Sequence, residues 1–284
     1  MAASTSPTLR RRRLASELRR LREQARLTCD EVGERLGCTG SRISRIEKGR
    51  LGIRPGDVHE LLDVYGVTEP LRGQLLQLAR DARKRGWWQV YNDVLTDEMK
   101  TFVGLETDAT SIMNYEAHYI PGLLQTEAYA RELFLAWRPS VTTETVEKLT
   151  KVRMARQTVL SSADRPTLWA VLDEAVLQRT VGGPGVMREQ LHHLLTLSEH
   201  GMVTIQIVPF RSGAYHPLGS SFILFEFPDP RDQPVVYMEN LAGGLYLEQP
   251  AEVAQCIVGF NHLRANALPD HDSAALIAQV AKSL

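Results

Sequence analysis

Thr28-Cys29-Asp30-Glu31-Val32-Gly33-Glu34-Arg35-Leu36-Gly37-Cys38-Thr39-Gly40-Ser41-Arg42-Ile43-Ser44-Arg45-Ile46-Glu47-Lys48-Gly49 is the stretch on which the fold turns. Thr28 with Glu31 three residues on has the form of a capping box, in which the two residues satisfy each other's backbone N–H groups at a helix start. Val32 and Leu36 then share one face of that helix. Gly37 is placed to end it in the left-handed conformation that glycine adopts without a Cβ clash. Thr39 offers a second cap, Ile43 and Ile46 turn one side of the next helix inward, and Gly49 ends it.

Helices extend outward from this pair on both sides. Leu14, Leu18, Leu21 and Ala25 recur at i, i+4, i+7 and i+11, with Arg19, Arg20, Arg22 and Glu23 opposite. Downstream, Pro55 suits a first helical turn ahead of Val58, Leu61, Leu62 and Tyr65, and Gly66 stops that helix. Thr68 is the expected cap of a fifth helix carrying Leu71, Leu75, Leu78 and Ala82. The reading is a five-helix domain over 14–85, preceded by a basic N-terminal arm over 1–13 that holds Arg10–Arg13 as a solvated tail. Two short helices around a glycine-containing turn are the helix-turn-helix signature.

The segment 28–49 resembles the Xre-type phage-repressor family, most specifically in Ile43-Ser44-Arg45-Ile46-Glu47-Lys48-Gly49, and the resemblance spans the five helices. Gly33 stands where that family keeps a small residue for close helix approach. Cys29 departs from it, because the family carries a phosphate-anchoring Gln there. The resemblance implies double-stranded DNA as partner and the third helix in the major groove. Gly40, Ser41, Arg42 and Arg45 are then the outward positions; Gly40 offers no side chain, which leaves Ser41, Arg42 and Arg45 as the base contacts. The planar fork of an arginine matches the O6 and N7 acceptors of guanine. Thr28, Thr39, Ser44, Lys48, Arg50 and Arg54 are the expected DNA backbone contacts, which set register without reading sequence. Arg22 and Glu47 are the expected structural ion pair between the first helix and the end of the third. A homodimer on two half-sites is the usual way such a module gains affinity.

Charge agrees with a polyanion partner for this part of the chain. Residues 1–86 hold 17 Arg and 2 Lys against 11 Asp or Glu, a net of +8, whereas the remainder carries −9, leaving −1 overall. Such asymmetry between halves points to nucleic acid. Three cysteines, Cys29, Cys38 and Cys256, lack the spacing of a metal site, so no metal and no cofactor are expected. No run approaches the roughly 18–20 apolar residues of a membrane span, and nothing resembles a signal peptide. The expected location is the cytoplasm, on the nucleoid when bound to DNA.

Residues 97–284 read as a mixed α+β regulatory or partner-binding domain with a small sheet of about four strands, so the chain as a whole is α+β. The strands are expected at 168–173, 203–208, 222–227 and 235–239, and the Pro228-Asp229-Pro230 loop makes the last two neighbours. Gly243-Gly244 reads as a bend. Helices are expected near 97–111, 124–136, 143–160, 185–200, 250–267 and 270–282. No catalytic elbow, phosphate loop or metal-binding His spacing is present, so no enzyme activity is expected. Trp88, Arg153, Arg156, Asp173 and Glu174 are the partner or effector candidates. Arg153 and Arg156 could form a partner surface or turn inward to Asp173 or Glu174.

Gly86-Trp87-Trp88, Pro121-Gly122-Leu123-Leu124-Gln125-Thr126, Val152-Arg153-Met154-Ala155-Arg156-Gln157, Leu172-Asp173-Glu174-Ala175, Pro209-Phe210, Phe225-Glu226-Phe227 and Gly243-Gly244-Leu245-Tyr246-Leu247-Glu248 carry a second resemblance. It is to the C-terminal domain of WhiJ-like, antitoxin-like actinobacterial regulators. That resemblance implies a transcriptional regulator with a small BldB-like partner encoded nearby. The alternative it implies is an antitoxin-like interaction module that sequesters such a partner and binds DNA only to regulate itself.

Overall fold

The computed structural model describes residues 6–49, 51–84, 86–137, 141–217, 221–240 and 243–284. The chain divides into two compact units that part between Gln89 and Val90.

The first unit is built from α1 (Pro7–Gln24), α2 (Cys29–Arg35), α3 (Gly40–Glu47), α4 (Pro55–Val64) and α5 (Leu71–Asp81). Leu14, Leu18, Val32, Ile43, Ile46, Val58, Leu61, Leu62 and Leu75 share its core. Burying an aliphatic side chain contributes about 1.5–3 kcal/mol, so this cluster is what holds five short helices together. The capping box forms in full, with Thr28 and Glu31 each bonded to the other's backbone. Residues 7–13, assigned above to a basic arm, are instead the first turns of α1. Ser6 accepts from the N–H groups of Thr8 and Leu9, Pro7 sits at the first helical position, and Leu9 is buried. Ser-Pro is a helix-start signal that the run of arginines obscured. Thr68 does not cap α5, which begins after Pro70; the α conformation is disfavoured for a residue preceding proline, here Glu69.

The second unit holds one six-stranded sheet in the order β3-β2-β1-β4-β5-β6. Its strands are β1 (Ser111–Glu116), β2 (Thr167–Asp173), β3 (Thr204–Val208), β4 (Phe222–Glu226), β5 (Val235–Asn240) and β6 (Gly243–Leu247). β1, β2 and β3 run parallel, and β4, β5 and β6 continue antiparallel from β1. The sheet has six strands, not four. The two additions are β1, which lies at its centre, and β6, which turns the supposed Gly243-Gly244 bend into the start of an edge strand.

Around the sheet run α6 (Asp97–Asp108), α7 (Glu127–Trp137), α8 (Thr143–Arg156), the single turn α9 (Ala175–Gln178), α10 (Gly183–Glu199), α11 (Pro250–Asn266) and α12 (Asp270–Ser283). α11 packs Val253, Phe260 and Leu263 against Tyr115, Val171, Phe222 and Val236, which closes the core on one face of the sheet. Among the described residues no helix is long and apolar enough to cross a membrane.

Candidate nucleic-acid interface

The candidate interface is the outer side of α3, and its orientation follows from what lies beneath it. Ile43 and Ile46 are buried in the unit's core, so the intervening turns leave Ser41, Arg42, Arg45 and Lys48 exposed and Ser44 half-buried. The Thr39 hydroxyl accepts from the Arg42 N–H at 3.3 Å and fixes where the helix begins. α2 lies against α3 with almost no clearance: a Cβ at Gly33 would come 2.7 Å from the Cys38 carbonyl oxygen and 2.8 Å from the Gly40 nitrogen. Gly40, expected among the outward positions, is buried against Asp30 and presents nothing to a groove. Its lack of a side chain serves this helix contact.

Arg22 and Glu47 meet. The Arg22 Nε and Nη2 groups donate to the two Glu47 carboxylate oxygens at 2.8 and 2.9 Å, and Nη1 donates to the Leu27 carbonyl at 2.7 Å. Their side chains are 13% and 4% exposed. The hydrogen bond to Glu47 raises the guanidinium pKa, in spite of burial acting the other way. A fork-to-carboxylate pair of this geometry fixes α1 against the end of α3. Cys29 points its thiol toward Glu47 with Sγ 4.0 Å from Oε2. Burial pushes that thiol up, so it remains protonated.

The expected backbone contacts stand at the helix ends. Thr28 begins α2, Thr39 begins α3, Arg54 precedes α4, and Lys48 closes α3; all four are exposed. Helix N-termini carry unsatisfied N–H groups and partial positive charge, which suits phosphate. The Thr28 hydroxyl and N–H are both engaged by Glu31, at 2.8 and 2.7 Å, so a phosphate would compete with the capping box there. Arg50 lies outside the described residues.

One residue at this surface was absent from the sequence reading. Asp57, in the first turn of α4, accepts from Arg42 Nη2 at 2.8 Å, which ties the outer side of α3 to the start of α4. No spacing rule would have paired residues 15 positions apart. Arg45, in contrast, has no hydrogen bond or ion pair from its side chain among the described residues.

The partner candidates outside this surface do not assemble into one. Trp88 belongs to the first unit and is buried. Arg153 and Arg156 are buried, which removes them as a partner surface, and neither reaches Asp173 or Glu174. Arg156 donates Nε and Nη2 to both oxygens of Glu106 at 2.8 and 2.7 Å and lies over the Phe102 ring. Arg153 donates to Gln125 at 3.0 Å and lies over Phe134. Burial, with Arg156 beside it, pulls the Arg153 guanidinium down to about 9. Asp173 is buried and accepts from Tyr215 and from the Ala175 N–H, and Glu174 accepts from the Phe210 N–H. Among the described residues no three His, Cys, Asp or Glu side chains cluster as metal ligands would.

Two family matches accord with this division. Residues 13–75 match the family described as a helix-turn-helix domain. Residues 99–279 match the family described as a domain of unknown function, DUF5753. No curated protein and no solved structure matches the chain. The first unit is therefore a helix-turn-helix domain, consistent with binding double-stranded DNA.

Proposed function

The chain belongs to the family of the DUF5753 domain, which it carries behind a helix-turn-helix domain, and from that premise we propose that it is a sequence-specific transcriptional regulator rather than an enzyme. It reads the major groove with α3. Arg42, Arg45 and Ser41 meet base edges, and Thr28, Thr39, Ser44, Lys48, Arg50 and Arg54 hold the sugar-phosphate backbone. The observation that carries this reading is the exposed guanidinium pair on a helix whose opposite side is locked by Ile43, Ile46 and the Arg22–Glu47 pair. Rigidly held donors on a narrow helix are what base-edge recognition needs.

The protein acts as a homodimer on half-sites about 34–36 Å apart, because one module of this size has too few contacts for specific binding. In keeping with the Xre-type and WhiJ-like resemblances, the second unit supplies control, and a small BldB-like protein is its partner at a surface that excludes the buried Arg153 and Arg156. The antitoxin-like alternative draws no support from those positions.

Selection of duplexes from a random pool, followed by anisotropy titrations across a salt series, tests the proposal. The expected result is one enriched, two-fold-related site, bound with a log–log salt slope of about −0.9 per phosphate neutralised. Failure to enrich any sequence, with no duplex binding at low ionic strength, would overturn it.

A further inference from the structure

The second unit contains a cavity of about 870 Å³ bounded by the end of β1, α7, the turn before α10, the start of β4, the end of β5 and Leu245 of β6. Its volume falls in the range of pockets that enclose small molecules. Its charge is one-sided. Among the described residues Glu116, Glu132 and Glu239 line it, with His118, against one guanidinium, Arg179, whose Nε already donates to the His118 carbonyl at 3.2 Å. Leu133 and Met238 supply apolar wall, and the Tyr119 ring adds a face of the kind that attracts cations.

Glu116 is the unusual member. It closes β1, and its Oε2 is sealed from solvent without a hydrogen-bond partner. Buried polar atoms are nearly always satisfied, so an orphan at a cavity wall calls for an explanation. The groups that face this carboxyl are Ser221 from the segment before β4, Glu239 from β5, Arg153 from α8, Tyr129 from α7 and Tyr119. Arg153 is the one cation among them, and its guanidinium is buried and donates to Gln125. Burial, reinforced by Glu239, pushes Glu116 up to about 8, against a smaller lowering by the Ser221 hydroxyl and Arg153. The group is therefore mostly protonated at neutral pH.

We propose that this cavity is a binding site for an organic cation, a small molecule with an ammonium group on an apolar body, for which Glu116 is the counter-ion and Glu239 a second acidic wall. An ammonium beside Glu116 stabilises the carboxylate over the acid, so binding drives a proton off the protein. Affinity consequently rises with pH until it passes the pKa of the free carboxyl, about 8, and then levels off. DNA binding by the first unit plays no part in this site, and the two can fail separately.

Titration calorimetry on the full chain without DNA, with tryptamine as probe and indole-3-propionate as its anionic counterpart, tests the site. Tryptamine is expected to saturate at about millimolar concentration or below, and the anion is expected to bind at least about tenfold more weakly. Repeating the titration in buffers of different ionisation enthalpy should reveal proton release near neutral pH. Glu116→Gln should abolish that release and weaken tryptamine about tenfold or more. Glu239→Gln, at an exposed position, should weaken tryptamine less and move the plateau of the pH profile to lower pH, which keeps the test decisive if Glu116→Gln does not fold. Lack of saturation by tryptamine, equal binding of the anion, or a pH profile unmoved by either variant would each overturn the proposal.

Discussion

Arg42 and Arg45 on α3, and Arg153 and Arg156 on α8, are the same residue at the same helical spacing, yet the fold uses the two pairs in opposite ways. On α3 the arginines alternate with Ile43 and Ile46, which fill the core, so the guanidinium groups stay in water. On α8 they continue the stripe of Val146 and Leu149, and both are buried. An exposed guanidinium keeps its hydration and stands available to a ligand. A buried one loses hydration and persists only where carboxylate or carbonyl oxygens and aromatic faces replace it. Glu106, Gln125, Phe102 and Phe134 provide that replacement around α8. An arginine pair on a helix is thus no evidence of a binding surface until the position of its apolar neighbours is known.

The sharpest way to break this contrast is Arg156→Ala. The Arg156 and Glu106 side chains are 6% and 5% exposed, so truncation strands a buried carboxylate. Unfolding by denaturant should show a loss of about 3–5 kcal/mol. Replacing both partners by apolar residues of similar volume should recover most of it, since the stranded charge and not the missing attraction carries the cost. A neutral Arg156→Ala would mean that the pair is solvated and that α8 resembles α3 after all. Arg22→Ala comes next, at about 3 kcal/mol, because among the described residues Glu47 would be left with only the weak Cys29 thiol donor. Its second readout is duplex affinity: a loosened α3 should weaken specific sites more than random DNA.

What the sequence revealed, and what it hid, follows the range of the interactions involved. α2 and α3 are written in neighbouring residues, namely the Thr28–Glu31 box, the Thr39 cap, the isoleucines at Ile43 and Ile46, and Gly37 and Gly49 at positive φ. β1 is not. Its segment Ser-Ile-Met-Asn-Tyr-Glu follows α6 after two residues and buries a polar Asn114, and its partners Thr167 and Glu226 stand far along the chain. β6 begins with two glycines, which read as a bend until β5 pairs with them. The same holds at the interface. The Arg22–Glu47 pair was legible through the resemblance to Xre-type repressors, whereas Asp57 beside Arg42, Glu106 beside Arg156 and the burial of Gly40 depend on helix packing that no local pattern encodes.

On the exposed side of the contrast, Arg45→Ala should leave stability within about 0.5 kcal/mol, since its side chain has no partner among the described residues to lose. Its effect belongs to DNA: affinity for the selected site should fall by about 1–3 kcal/mol, and preference at one base pair should relax. Competition with single-mismatch duplexes measures this. Equal loss on every sequence would reassign Arg45 to phosphate.

The smallest expected effect is also the most discriminating, because it concerns an arginine with a foot in both categories. Arg42 is exposed like Arg45 but paired like Arg156, with side chains 50% and 34% exposed for Arg42 and Asp57. Ion pairs this open contribute about 0.2–1 kcal/mol, so Asp57→Asn should barely move the unfolding transition, with a few tenths more from the lost acidic group in the first turn of α4. For DNA the sign is open to direct measurement. If Asp57 competes with a base for the Arg42 fork, Asp57→Asn removes a negative charge from the interface and tightens binding by a few-fold, most at low salt. If Asp57 instead holds Arg42 in its reading rotamer, the variant binds all duplexes about as tightly at low salt but discriminates less between matched and mismatched sites. Tighter and equally selective binding would place Arg42 with Arg45 as a group awaiting its ligand, and lost selectivity would show that an exposed arginine too can be held in place by a carboxylate.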